Sequence, residues 1–365
     1  MNGVPAYAGV VSNPMMLLAI ESSRRYLLQD DAIRERWDRA LAKMPPPQLT
    51  EEPRKVDTPS LLKRWEGDPR AAVLQFEALT GLMWKELPPP GGKPECGGAA
   101  IYLAGHEANP LVAIRRPSAE VLREQARLVA DSAADRMKPK SEEPSQRDRI
   151  CEIAVQVVPQ FAFWSSVLPM HPERMTRTIE LMQLALALAF TVEQRFKHAL
   201  AVPRPHEVKP SICPALLTPG HGSLPSGHAT EAFTTATVLA ALLDLNGTTS
   251  APLRRLAQRI ADNRQVAGLH YPIDTKAGQL LGFVLGDYLV ARCRDGEVRT
   301  GSFNGDRLEG DETCQEGGDD PRDKREGWTN VIEPGQQMLR VEHSDQLRWL
   351  WDEARQEWGA KPLAT

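Results

Sequence analysis

The chain has little cysteine: five in 365 residues, Cys96, Cys151, Cys213, Cys293 and Cys314, with no CxxC pair and no close Cys/His pair at zinc spacing. An odd, scattered set of thiols does not make a disulfide framework and excludes the small zinc-stapled modules. Charge of one sign is also missing. Forty-four basic against 48 acidic side chains leave a net charge of −4, which argues against a general nucleic-acid binder, whose phosphate contacts need a basic excess or stripe. No apolar run reaches the roughly 18 residues of a membrane-spanning helix. The nearest, Leu181–Val192, contains Gln183 and is followed by Glu193, Arg195 and Lys197. The segment before Arg25 lacks a basic start, and Met15–Ile20 is too short for a signal core. The expectation is a soluble, cytoplasmic protein with no membrane span.

Strand-like alternation is nearly absent, and helical periodicity dominates. With 41% hydrophobic and 25% charged residues, the composition is that of an ordinary globular chain. Helices are expected over 30–44 and 68–87, separated by proline-bearing linkers, with a loop over Glu86–Gly98. Further helices are expected over 117–137, 147–168, 172–199, 226–245, 252–269, 272–293 and 344–358. Gly278, Gly282 and Gly286 fall on one face, as close helix packing requires. Gly301–Gly327 is acidic and nearly without large apolar groups, so a mobile loop is expected there. The terminal helix carries Trp349, Trp351 and Trp358 and is expected to pack on the core, with a homodimer as the alternative. The reading is an all-α helical bundle. Its parts are an N-terminal helical extension (1–110), a catalytic core (111–296), and an acidic loop with a C-terminal helix (297–365).

Three clusters between Lys197 and Asp274 carry compatible chemistry: KHALAVPRP with Lys197 and Arg204, HGSLPSGHA with His221, Ser226, Gly227 and His228, and NRQVAGLHYPID with Arg264, His270 and Asp274. A lysine and two arginines can surround a tetrahedral oxyanion, the guanidinium forks bonding two oxygens at once. Ser226 stands where a helix should begin, and Gly227 lets backbone approach an anion at that positive helix end. His228 in the first turn can exchange a proton with the same anion. Asp274, four residues after His270, can take the imidazole Nδ1–H and aim Nε2 outward. Singly, each residue has a bland role: a helix-end cation, a loop arginine, an N-cap, a satisfied histidine.

Together, KxxxxxxRP, PSGH and RxxxxxHxxxD resemble the signature of the type-2 phosphatidic acid phosphatase superfamily. That superfamily includes lipid phosphatases, bacterial acid phosphatases and vanadium-dependent haloperoxidases. Asn263 departs from the pattern, which commonly has serine before the third-motif arginine. The resemblance implies a helical bundle of this type in which Lys197, Arg204 and Arg264 hold the equatorial oxygens of phosphate or vanadate. Ser226 and the Gly227 amide would complete the cradle, and His228 would be the acid/base. His270 would attack phosphorus or coordinate vanadium, and Asp274 would orient it. Nearly two hundred residues precede the first motif, which resembles the arrangement of the soluble vanadium haloperoxidases. In that branch, a histidine at the position of His221 goes with bromide oxidation. The expected activity is therefore haloperoxidase, with vanadate as cofactor and hydrogen peroxide, halide and an organic acceptor as partners. The alternatives are a soluble phosphatase acting on phosphate esters through a phosphohistidine and a non-catalytic oxyanion binder.

Overall fold

The computed structural model describes residues 30–44, 56–90, 96–137, 144–157, 160–307, 320, 322 and 332–359, with a few isolated positions before residue 30. Residues 1–73 and 74–365 form two compact units. In the first, helix α1 (Asp31–Leu41) starts at Asp30, whose carboxylate accepts the amides of Ala32 at 2.8 Å and Ile33 at 3.3 Å. This cap satisfies amides that the helix itself cannot. No side chain of α1 is buried. A 3-10 turn (Pro59–Arg64) follows, and α2 (Gly67–Thr80) begins in this unit and ends in the second.

The all-α expectation is overturned by a five-stranded mixed sheet in the second unit. Strands β1 (Leu82–Leu87), β2 (Gly98–Leu103), β3 (Val112–Arg115), β4 (Gly296–Asn304) and β5 (Ile332–Val341) lie side by side in chain order. Every neighbouring pair is antiparallel except β3 and β4, which run parallel with Val112 opposite Gly301 and Arg115 opposite Asn304. The strands escape a periodicity reading for a physical reason. Residues 99–103 of β2 are all buried, so both faces are covered and no apolar–polar alternation survives. The helix expected over 68–87 ends at Thr80 and gives way to β1. Residues 301–304 of the expected mobile loop are paired strand. Most of the rest of Gly301–Gly327 lies outside the described residues, although Arg322 is buried there and donates to Asp287 Oδ2 at 2.7 Å.

Between β3 and β4 runs the helical bundle: α3 (Ala119–Met137), α4 (Pro144–Val155), α5 (Phe161–Ser165), α6 (Thr176–Leu200), α7 (Pro205–Val208), α8 (Gly227–Leu242), α9 (Ala251–Val266) and α10 (Pro272–Arg294). The single helix expected over 147–168 is two, α4 and α5. The sequence sets Pro159 between them, and proline removes a backbone donor from a helix interior. Helix α9 stops at Val266, short of Leu269, and Gly268 takes φ +76° in the turn beyond it.

Helices α8 and α10 are in close contact along the glycine stripe. A Cβ at Gly278 would sit 2.6 Å from the Ser226 carbonyl oxygen, and one at Gly282 would sit 2.7 Å from Phe233 Cβ. Phe233 meets Phe283 at 5.2 Å between ring centroids, within a core that includes Trp164, Met182 and Ile260. The last helix, α11 (Asp345–Glu357), packs on α6 and α10 of its own chain. Its Trp351 is fully buried, and the Glu357 carboxylate accepts the Arg177 and Thr178 amides at the start of α6, at 2.7 and 2.8 Å. Among the described residues, no helix is long and apolar enough to cross a membrane.

Candidate active site

Helix α6 ends in a left-handed residue, Ala201 (φ +45°), which turns the chain from Lys197 toward Arg204. Lys197 is 1% exposed, and its ammonium donates to the carbonyls of Ser223, at 3.3 Å, and Pro225. Those carbonyls belong to the turn leading into α8, so the lysine ties two motif segments together. Burial pulls its pKa down to about 8. Arg204, 2% exposed, precedes α7, and Pro205 opens that short helix where its missing N–H costs nothing. The Arg204 guanidinium donates to the Leu269 carbonyl at 2.9 Å and to the His221 carbonyl at 3.2 Å. It also lies 3.0 Å from His270 Nε2 and 3.2 Å from His221 Nδ1.

The PSGH turn delivers Ser226, Gly227 and His228 at the α8 N-terminus. Ser226 is the N-cap residue, yet its buried hydroxyl has no hydrogen-bond partner. Its amide donates to the Asp274 carbonyl at 2.9 Å, fixing the turn to the first turn of α10. His228 contacts the Gln156 carbonyl through Nε2 at 2.8 Å. Because a carbonyl can only accept, Nε2 carries the proton. Burial, and then the nearby Arg264 charge, pull the His228 pKa down to about 3, so the ring is neutral at physiological pH.

The third segment brings Arg264 at the end of α9 and His270 in the turn after it. Arg264, 1% exposed, donates through Nη2 to the Ile153 carbonyl and Gln156 Oε1, each at 3.0 Å. Its buried Nε and Nη1 have no partner. His270 Nδ1 lies 3.0 Å from Asp274 Oδ2. Asp274 Oδ2 also accepts the Tyr271 amide at 3.0 Å and the Ser223 hydroxyl. Asp274 therefore both orients the imidazole and caps α10. Burial pushes the Asp274 pKa up to about 6 despite these donors. Burial, followed by Arg204, Lys197, His228 and Arg264, holds His270 well below its ordinary value. That set of neighbours places all three motifs around one imidazole.

The geometry suits an oxyanion. The partnerless buried atoms include the donors Ser226 Oγ, Arg264 Nε and Arg264 Nη1, while Lys197 and Arg204 supply further positive charge. A pocket with this many buried donors can hold phosphate or vanadate. Among the described residues, no group of three or more His, Cys, Asp or Glu side chains is placed to hold a metal cation. A cavity of about 460 Å³, lined by Pro203, Arg204, His206, Glu207 and His221 among others, opens beside the cradle. His221 is thus set at the cavity wall rather than on the His270 ring, and burial lowers its pKa.

Several partners escaped the sequence reading. Gln156, on the segment after α4, contacts His228 through its carbonyl and Arg264 through its side chain, and nothing in the sequence ties it to the motifs. Asn263 receives the Arg149 Nε–H at 2.8 Å and donates to Glu152 and Gln156 at 2.8 and 3.0 Å, so it braces the arginine beside it. Ser223 was the most legible of these partners, lying inside the PGHGSLPSGH run. Glu193, one turn before Lys197, figures in the sequence only as a polar residue ending an apolar run, yet it is 2% exposed.

A model of the PAP2 superfamily matches residues 180–295, which span all three motifs. No curated protein matches the chain. Among solved structures, one described as the first bacterial vanadium-dependent iodoperoxidase is similar at 18% identity and a TM-score of 0.37, covering 45% of this chain and 48% of that one. The similarity spans about half the length of that protein.

Proposed function

We propose, for a chain whose residues 180–295 match the PAP2 superfamily, a vanadium-dependent haloperoxidase that oxidises halide, bromide in preference, with hydrogen peroxide and passes it to an organic acceptor. The carrying observation is the set of partnerless buried donors, Ser226 Oγ and two Arg264 nitrogens, beside a histidine whose Nδ1 is held by Asp274. Vanadate, when bound, supplies a Lewis-acidic centre that activates peroxide without a required change of redox state. His270, with Nδ1–H given to Asp274, presents the Nε2 lone pair as the ligand atom. Arg204 now faces that lone pair and would turn its donors to the oxyanion. Lys197 and Arg264 would hold the remaining oxygens, and burial would strengthen each contact by excluding water. His221, in contact with Arg204 at the cavity wall, would tune protonation on the cavity side.

The second reading is a phosphatase in which His270 attacks phosphorus, forming the P–N bond as the P–O bond to the alcohol breaks. His228 would give its proton to the departing oxygen, and water would then release phosphate. The cradle suits a phosphoryl group equally. The neutral His228, tethered to the Gln156 carbonyl, is poorly prepared as a general acid, and this favours the first reading.

The test uses one vanadate-free preparation in two halves. One half receives vanadate, peroxide, bromide and a chromogenic acceptor, and the other receives an aryl phosphate. Vanadate-dependent bromination that His270→Ala abolishes is the expected result. Phosphate release inhibited by vanadate, without bromination, would assign the chain to the phosphatases. Stoichiometric vanadate binding without either turnover would leave an oxyanion-binding protein.

A further inference from the structure

Behind the cradle lies a pair of carboxyl groups that neither reading uses. Glu193 sits one turn before Lys197 on α6, and Glu231 one turn after Gly227 on α8. Glu193 presses on the α8 N-terminus, where a Cβ at Gly227 would meet its Oε1 at 2.5 Å and its Oε2 at 3.1 Å. Glycine at 227 therefore makes room for a carboxyl group as well as for an anion. Glu193 Oε1 receives a hydrogen bond of 3.3 Å from Gln194, and its buried Oε2 has no partner. The charges bearing on Glu193 are Glu231 from α8, Lys197 from its own helix and Arg204 from the segment before α7. Asp274 of α10 and Glu231 also bear on Lys197.

A carboxylate with an unpartnered buried oxygen and a second carboxyl group nearby is strongly disfavoured, and the group keeps its proton instead. Burial, then the Glu231 charge, drive the Glu193 pKa well above the carboxylate range, while burial raises Glu231 to about 7. Lys197 has two carbonyl partners, which leaves one N–H of its ammonium for an anion.

We infer that Glu193 is a protonated positioning residue: it fills the space behind Gly227 without neutralising Lys197. Glu231, one turn after Gly227 on α8, is the partner carboxyl group whose negative charge, acting on Lys197, weakens the grip on an oxyanion. This role presupposes that the cradle binds oxyanions, as the proposed function requires. The sign follows from charge. Below neutrality both carboxyl groups are neutral and the cradle is most positive. As pH rises through about 7, Glu231 becomes negative beside Lys197, and anion affinity falls.

Calorimetric titration with sulfate, whose charge is constant over the range, tests this between about pH 5.5 and 7.5. Wild type, Glu193→Gln and Glu231→Gln are compared at fixed ionic strength. Wild-type affinity is expected to fall by several-fold more than that of E231Q across the range, the remaining slope belonging to Asp274 and to the onset of Lys197 deprotonation. E193Q is expected to match wild type within about twofold at every pH, because an amide replaces a neutral acid. A tenfold tighter E193Q at neutral pH would show that Glu193 is charged and overturn the inference, since tenfold corresponds to about one pKa unit of interaction. Equal slopes in wild type and E231Q would overturn the role of Glu231. Absence of sulfate binding by wild type would overturn the oxyanion reading itself and this inference with it.

Discussion

Nδ1 of His270 and Oδ2 of Asp274 lie 3.0 Å apart, and both side chains are almost fully buried. The carboxylate sits at the start of α10, where the same oxygen accepts the Tyr271 amide, so helix initiation and imidazole orientation depend on one atom. The outward direction of Nε2 is therefore built into a helix start rather than left to a free side chain.

Asp274→Asn separates these two duties. An asparagine can still cap α10, but its amide can turn an N–H toward Nδ1 and free His270 to take the other tautomer. Vanadate or phosphate affinity is expected to fall by about 10- to 100-fold, the usual cost of losing the group that orients a ligating histidine. Isothermal titration measures this. An affinity unchanged from wild type would contradict the orienting role.

Gly278→Ala places a methyl group 2.6 Å from the Ser226 carbonyl oxygen and 2.8 Å from Ala229 Cβ. Backbone cannot rotate aside as a side chain can, so α8 and α10 must part. A loss of about 1–3 kcal/mol is expected in denaturant unfolding, as for other overpacked cores, together with weaker anion binding because Ser226 moves. Gly220→Ala, where an added Cβ meets nothing within 4 Å, is the control and is expected to stay within about 0.5 kcal/mol.

Glu357→Ala removes the carboxylate that accepts two amides at the start of α6. That carboxylate is both cap and counter-charge to the positive helix end. Its loss is expected to cost about 1–2 kcal/mol, read as a lower Tm. Oxyanion affinity should change by less than about twofold, since Lys197 lies near the other end of the same helix. A large loss of affinity with an unchanged Tm would reverse this assignment.

The three motifs were legible because each is a short stretch whose residue types share one chemistry, and the fold brings Lys197, Arg204, Arg264 and His270 within electrostatic reach of one another. The sheet was not legible. β3 is four residues long, and β2 is covered on both faces, so neither displays the alternation that marks a half-exposed strand. The supports were hidden for a different reason. Gln156 and Asn263 matter through contacts across long stretches of chain, and single-sequence spacing carries no such information. Glu193 was hidden too: a charged residue closing an apolar run gives no sign in sequence that it is buried against the α8 N-terminus.

The parallel pairing of β3 with β4 sets an order on folding. β3 leaves the ribosome before any bundle helix and β4 after the last of them, so the β3 edge has no partner until the whole bundle has been synthesised. A nascent chain carries β3 with open hydrogen-bonding groups throughout that interval, the condition under which strands of separate chains pair with one another. Closure of so large a loop is also a slow, non-local event. The β3–β4 edge is thus a clasp that can close only once the bundle has been made, and yield of the folded protein should depend on how long that edge waits.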